Sequence, residues 1–491
     1  MKRKTTKALS GEYFLFLLPA FFLFHGFTEN FPLVGAGDCL WLLLQYLLAA
    51  ALLSILFYFL LRSWRKAAIV TLLLMSFHFF FGSLHDAAKS VSATAFFTHY
   101  SFILPFSFIL LIVLIFLLKR SGRKFDRLVQ YVNVVLLVFI LIDAVQLLRA
   151  PRPQKEKGMP PGFMSCDSCP KPDIYFIIAD EYAGRKELND IFHFDNSSFE
   201  DALKARGFYV ADSSVSNYNY TPFSTASVLS MNYLTGIEGR NKSKKDRHLC
   251  YELIDHNAVI RFLAAEGYSF QNLSVFQFNG QLPPAPSSFF LTGRELVTSQ
   301  TFFSRVRRDI GFNLVTPYRI ASQLNKFADR ELSHVQYLLQ STKNAANENT
   351  AAPRFIYTHL MMPHYPYFFT KEGKKNPPEM ALEGSQTMQA AYIGYLQYSN
   401  SKFLELIDFI LSHSKKPPII IFMGDHGFRH FTTNVDHRYY FMNLNAVYLP
   451  GRQYDGFYKG ISAVNQFRII FNNAFKQHLP LLKDSTSFLI E

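Results

Sequence analysis

Pro418-Ile419-Ile420-Ile421-Phe422-Met423-Gly424-Asp425-His426-Gly427 is an unbroken apolar run that ends on an adjacent carboxylate and imidazole between two glycines. A run this short and this rich in isoleucine reads as a strand, and one without polar alternation is covered on both faces, as strands of parallel sheets are. Three further runs share the pattern: residues 173–179 (DIYFIIA), 355–359 (FIYTH) and 446–449 (AVYL). Between and after them, helical periodicity appears over 197–205, 258–265, 331–340, 388–411 and 465–475. Strands interleaved with helices of this length imply an α/β domain, a mostly parallel sheet covered by helices on both faces. In such sheets ligands bind beyond the carboxyl ends of the strands, so the residues following each run are candidates for chemistry.

After the first run comes Asp180-Glu181-Tyr182, after the second the segment to Pro363-His364-Tyr365-Pro366, and after the third Asp425-His426. Carboxylates and imidazoles at several strand ends can converge on one divalent ion, and a mixed oxygen and nitrogen donor set suits Zn or Mn. A nucleophile is offered by Asn217-Tyr218-Asn219-Tyr220-Thr221-Pro222-Phe223-Ser224-Thr225, which leads into a helical run with Pro222 suited to its first turn. Thr221 then stands at a helix N-terminus, where the macrodipole favours an alkoxide and an incoming phosphate. Singly, each feature has a plainer reading: an Asp or Thr caps a helix, and Pro-His-Tyr-Pro makes a rigid turn. The order of the whole set carries the case.

Outward from this domain, the first 150 residues are of another kind. The chain is 491 residues long, 49% hydrophobic and only 18% charged, and its Leu, Phe, Ile and Val concentrate at the start. Five apolar runs near the ~20 residues a membrane helix needs cover 13–33, 40–61, 67–84, 96–118 and 128–148. The start (Lys2, Arg3, Lys4, Lys7) and the loops at 62–66 and 119–127 are basic, whereas the loops holding Asp38 and Asp86 are not. Basic loops stay cytoplasmic, so the start is expected inside and everything after about residue 150 outside the cytoplasmic membrane. Residues 1–150 are thus a five-span domain, 151–172 a Pro-rich linker and 173–491 an exterior domain. Ionisable His25, Glu29 and Asp143 fall within or beside the spans, where interfacial placement or pairing between helices suffices to explain them. A formal charge of +13 concentrated near the membrane, with no reading motif, argues against nucleic acid as a partner. Four cysteines are too few for a disulfide scaffold, and Cys166 and Cys169 read most simply as a small structural disulfide.

Taken together, these motifs resemble the alkaline phosphatase superfamily in its membrane-embedded sulfatase-like branch, which includes lipoteichoic acid synthases and lipid A phosphoethanolamine transferases. The resemblance implies a metal held by Asp180, Thr221, Asp425 and His426, with Thr221-Pro222-Phe223-Ser224 similar to the Thr-x-x-Ser around the nucleophile and His364 contacting the substrate phosphate or leaving group. It also implies a further His, for which His430 and His437 are both candidates. Glu181, Ser224 and His359 stand beside these as residues that contact a ligand or the substrate. The sulfatase signature C/S-x-P-x-R is absent at 221–225, which disfavours sulfate esters. The activity implied is a phosphotransferase that moves glycerophosphate or phosphoethanolamine from a phospholipid donor, through a phosphothreonine, to an envelope glycolipid or glycan. Alternatives are a phosphodiesterase or phosphatase of the same superfamily, or an inactive binding module on a membrane anchor.

Overall fold

The computed structural model describes residues 9–31, 33–92, 95–149, 158–237, 244–285, 290–310, 321–381 and 384–490. The basic residues at the extreme start, and Pro151 and Pro153 of the expected linker, lie outside these. Contacts divide the chain into two units, one of residues 1–154 with 291–319 and the other of 155–290 with 320–491. Within the run 173–491 expected for the exterior domain, the described residues 291–310 group with the helical unit.

The helical unit holds α1 (Phe14–Glu29), α2 (Ala36–Leu61), α3 (Trp64–Val91), α4 (Tyr100–Arg120) and α5 (Asp126–Arg149). The last four are long and apolar enough to cross a membrane. With 16 residues, α1 is shorter than the sequence suggested, because the chain turns at Asn30, where side chain and backbone both bond back to the Gly26 carbonyl. Lipid supplies no hydrophobic drive between helices, so close packing relies on small residues and buried polar pairs. Accordingly Ala50 and Ser54 of α2 and Ala67, Ala68 and Thr71 of α3 are buried, with Ser54 donating to Thr71 at 3.1 Å. His25 and Asp143 pair between α1 and α5 at 3.0 Å, and His25 also lies 3.5 Å from Glu29. Pairing thus accounts for the ionisable residues noted in the sequence, with Asp143 buried and His25 and Glu29 partly exposed.

The second unit is built on one six-stranded sheet: β1 (Ile174–Ala179), β2 (Tyr209–Val210), β3 (Ser269–Leu273), β4 (Arg354–Leu360), β5 (Ile419–Gly424) and β6 (Asn445–Tyr448). Its order is β2-β6-β5-β1-β4-β3, with β5, β1, β4 and β3 mutually parallel and the β6 and β2 edge antiparallel. The sheet is therefore mixed, with a parallel centre. Every residue of β1, β4 and β5 is buried, as their lack of polar alternation requires. Register then sets the site, because Ala179 is level with both Leu360 and Gly424. The next residues of β1 and β5, Asp180 and Asp425, leave the sheet side by side. Cys166 and Cys169 form a disulfide, whereas Cys39 and Cys250 are free.

Candidate active site

Asp425 accepts hydrogen bonds on Oδ1 from the backbone N–H of Glu181 at 2.9 Å and of His426 at 3.0 Å. One carboxylate oxygen thus stitches the two strand ends together, and the other is left to face the site. Glu181 has φ 57°, a left-handed conformation that costs a non-glycine residue about 1 kcal/mol. At that bend the carboxylates of Asp180 and Glu181 go to different clusters, one with Asp425 and His426 and the other with His364 and His430. Within each cluster one ligand atom per residue lies within 4.8 Å of the others.

Hydrogen bonding fixes which imidazole nitrogens are available. A carbonyl oxygen cannot donate, so the 2.7 Å contact of His426 Nδ1 with the Gly427 carbonyl places the proton on Nδ1. Its Nε2 lone pair then faces Thr221 Oγ1 at 3.2 Å and Asp425 Oδ2 at 3.3 Å. His364 is held the same way, Nδ1 donating to the Tyr365 carbonyl at 2.5 Å, with Nε2 3.9 Å from Glu181 Oε2. His359 differs, since both its nitrogens are used: Nε2 bonds Asp180 Oδ2 at 2.8 Å and Nδ1 bonds the Tyr357 hydroxyl at 3.0 Å. It orients Asp180 rather than offering a ligand atom.

Three carboxylate oxygens, Asp180 Oδ1, Asp425 Oδ2 and Glu181 Oε2, are buried and accept no hydrogen bond among the described residues. Leaving such atoms without a partner costs about 1–3 kcal/mol each, and more when charged. A divalent cation is the partner that satisfies several at once, so the residues present fit a metal. Asp180, Asp425, His426 and Thr221 would hold one ion, and Glu181, His364 and His430 stand together as a second cluster.

Thr221 opens the helix Thr221–Ser230, with Pro222 in its first turn, and is itself buried. Ser224, one turn on, donates to the Asp425 carbonyl at 2.5 Å and so fixes this helix to the loop that follows β5. Of the two histidines left open by the sequence, His430 lies 3.5 Å from Glu181 and falls in its cluster, whereas His437 stacks on Phe488 at 3.6 Å and falls in neither. Arg429 was not singled out from the sequence. Its guanidinium lies 4.7 Å from the ring centre of Tyr220, the residue before Thr221, and its backbone N–H donates to Glu181 at 3.0 Å.

Electrostatics follow from this crowding. Burial works against an ionised Asp180, but the imidazoles of His364, His359 and His426 outweigh it and hold the carboxyl below its usual range. Burial pushes Glu181 well above the usual range against the opposing charge of Arg429. Burial likewise lowers His364, and with the charge of Arg429 it lowers His430 to about 2.

Glu187, outside both clusters, accepts the Phe428 N–H at 3.3 Å, and burial raises its pKa well above the ordinary value. A raised folded-state pKa means that the unfolded chain ionises first as pH climbs past ~4.3. The folded state then loses about 1.4 kcal/mol per pH unit until the buried carboxyl itself ionises. Glu187→Gln is therefore expected to be more stable than the parent at pH 7 and to lose that advantage below pH ~4. Denaturant unfolding of both proteins across that range checks it, and a gap independent of pH would refute the assignment.

No family model and no curated protein matches the chain. Among solved structures it is similar to the C-terminal periplasmic domain of EcEptC from Escherichia coli, at 13% identity over 68% of this chain and 94% of that one, with a TM-score of 0.42. The same domain in complex with Zn matches at 12% identity, over 68% and 94%, with a TM-score of 0.43. Phosphonate monoester hydrolase of Agrobacterium radiobacter matches at 10% identity, over 62% and 74%, with a TM-score of 0.39. At that distance, the function has to be argued from the site's own residues.

Proposed function

We propose that the protein is a membrane-anchored, metal-dependent phosphotransferase that takes a phospholipid head group onto Thr221 and passes it to a hydroxyl of an envelope glycolipid or glycan. One observation carries the reading: a buried threonine hydroxyl at a helix N-terminus faces the Nε2 lone pair of His426, beside carboxylate oxygens that lack donors among the described residues. Four helices long and apolar enough to cross a membrane, a shorter apolar helix before them and the alternation of basic loops in the sequence support a catalytic unit outside the cytoplasmic membrane, where glycerophosphate or phosphoethanolamine lipids are the available donors. A divalent ion, Zn or Mn, supplies charge that favours the ionised threonine and the developing charge on a phosphoryl oxygen.

The chain's residues carry the rest. Thr221 surrenders its proton, and an Oγ–P bond forms as the P–O bond to diacylglycerol breaks. His364, kept neutral by burial, takes up a proton before giving one to the departing oxygen, and the proton released by Thr221 balances that demand. The guanidinium of Arg429, beside Tyr220, adds a positive charge suited to the anionic diester. In the second half, an acceptor hydroxyl attacks phosphorus, its proton is released, and Thr221 leaves and is reprotonated.

Intact-protein mass spectrometry of the full chain and of Thr221→Ala, each mixed with Mn or Zn and bacterial phospholipids, tests this directly. The parent is expected to gain the mass of one head group, which names it, and Thr221→Ala to gain none. An adduct on both proteins would move the nucleophile elsewhere. No adduct on either, with no diacylglycerol released, would end the transferase reading.

A further inference from the structure

We propose that residues 291–310 form a re-entrant membrane segment whose tip, Phe302 and Phe303, lies among the acyl chains of the leaflet farther from the basic loops. This segment follows β3 in sequence yet belongs to the helical unit. It consists of two short helices, Arg294–Thr298 and Phe302–Arg305, the second continuing as a π-helical turn, Val306–Ile310.

Two notches receive it. A Cβ on Gly26 of α1 would stand 2.5 Å from Val297 Cγ1, and one on Gly82 of α3 would stand 2.6 Å from the Gln300 carbonyl oxygen. The Gly82 N–H also donates to that carbonyl at 2.9 Å. Glycines in membrane helices commonly mark such close approach. Phe302 then packs on Phe77 at 5.2 Å and Phe81 at 5.1 Å, and Phe303 lies 5.0 Å from His78.

Depth follows from the rise along α3. Lys66, which donates to the Ser121 carbonyl in the basic loop before α5, marks one polar boundary. Asp86, paired with Arg305, stands about 30 Å further on at 1.5 Å per residue, the thickness of a hydrocarbon core. His78 lies about 12 Å inside that second boundary, and so does the neighbouring Phe303. Phe303 is nevertheless 71% exposed. A large apolar side chain exposed at that depth, as apolar residues of α2, α4 and α5 also are, meets lipid.

The polar chemistry agrees with that placement. Arg305 and Asp309 are held at the boundary by Asp86 and Tyr100, the tyrosine hydroxyl donating to Asp309 at 2.7 Å. Backbone groups near the tip are satisfied locally, as hydrocarbon demands: Ser299 N–H bonds Glu295, Thr301 N–H bonds Thr298 and Arg305 N–H bonds Thr301. By chain connectivity the second unit is then tethered to the membrane at 291–310 as well as through the linker at 151–172.

The test uses the full chain in bilayers containing a phospholipid with a photoactivatable diazirine in its acyl chain. Trypsin cuts after Arg294 and Arg305, so residues 295–305 leave as one peptide. That peptide is expected to carry lipid adducts on Phe302 or Phe303, as the peptides of α2 and α4 do. Adducts on α2 and α4 with none on 295–305 would overturn the proposal. A second measurement needs no photochemistry: with a site-specific protease sequence placed in the 151–157 linker, cleavage should leave the second unit in the membrane fraction after an alkaline carbonate wash. Its release into the supernatant would equally overturn the proposal. Neither readout depends on catalytic turnover, so failure here and failure of the transferase reading are separable.

Discussion

Asp425→Ala is expected to lose its bound divalent metal and to turn over roughly 10⁴-fold more slowly than the parent, while the sheet remains folded. Both oxygens of this carboxylate are committed, but to different tasks. Oδ1 holds the N–H groups of Glu181 and His426, and Oδ2 is buried, without a donor among the described residues, 3.3 Å from His426 Nε2. Deleting the side chain removes an anionic ligand atom and frees the two backbone groups that set the positions of Glu181 and His426. Each orphaned N–H costs about 1–3 kcal/mol, partly offset because a buried carboxylate is no longer desolvated. Asp425→Asn separates these effects, since its amide oxygen can still accept both N–H groups while the negative charge is gone. Metal content by mass spectrometry and release of diacylglycerol from defined lipids give the answer. Full metal occupancy in Asp425→Ala would remove the assignment of Asp180, Asp425, His426 and Thr221 as a metal set.

Legibility in the sequence tracked the range over which each signal acts. The runs at 173–179 and 418–423 became β1 and β5 because their apolar content is local and complete. β2 has two residues, and β3, Ser269–Leu273, carries a serine, a glutamine and an asparagine at the sheet edge, so neither offers an apolar run to read. The segment 291–310 escaped notice for a related reason. Its helices have five and four residues, too few for periodicity, and what seats it are Gly26 and Gly82, more than 200 positions away. At the site, residue types at the strand ends were readable, but roles set by orientation were not. Nothing in the spacing of His430 and His437 distinguishes them, whereas the approach of His430 to Glu181 and the stacking of His437 on Phe488 do. His359 reads as the last residue of a strand until both its nitrogens are seen to be occupied. Arg429, four residues after Asp425, could have been suspected as a cation close to the Asp-His pair.

Gly427→Ala is expected to destabilise the catalytic unit by about 3 kcal/mol and to weaken metal binding with it. The glycines flanking Asp425-His426 suggest backbone freedom, yet neither has a positive φ. What they supply is room. A Cβ on Gly427 would stand 2.5 Å from the Tyr439 carbonyl oxygen and 2.7 Å from that of Met442, with the Glu187 carboxylate also in contact. Two of these neighbours are backbone, and the Gly427 N–H is itself bonded to the Tyr440 carbonyl at 3.0 Å, so no side-chain rotation relieves the clash. The strand-end loop must move instead. Because the Gly427 carbonyl is the acceptor that fixes the His426 tautomer, movement there displaces the Nε2 lone pair from Thr221 and Asp425. Stability and metal affinity should therefore fall together, with a melting temperature lower by about 5 °C in a unit of this size. Gly451→Ala, where an added Cβ meets nothing within 4 Å, is the matched control and should change stability by less than about 0.5 kcal/mol. If Gly427→Ala melts with the parent, the loop is more compliant than its contacts imply, and the positioning of His426 by the Gly427 carbonyl would have to be given up.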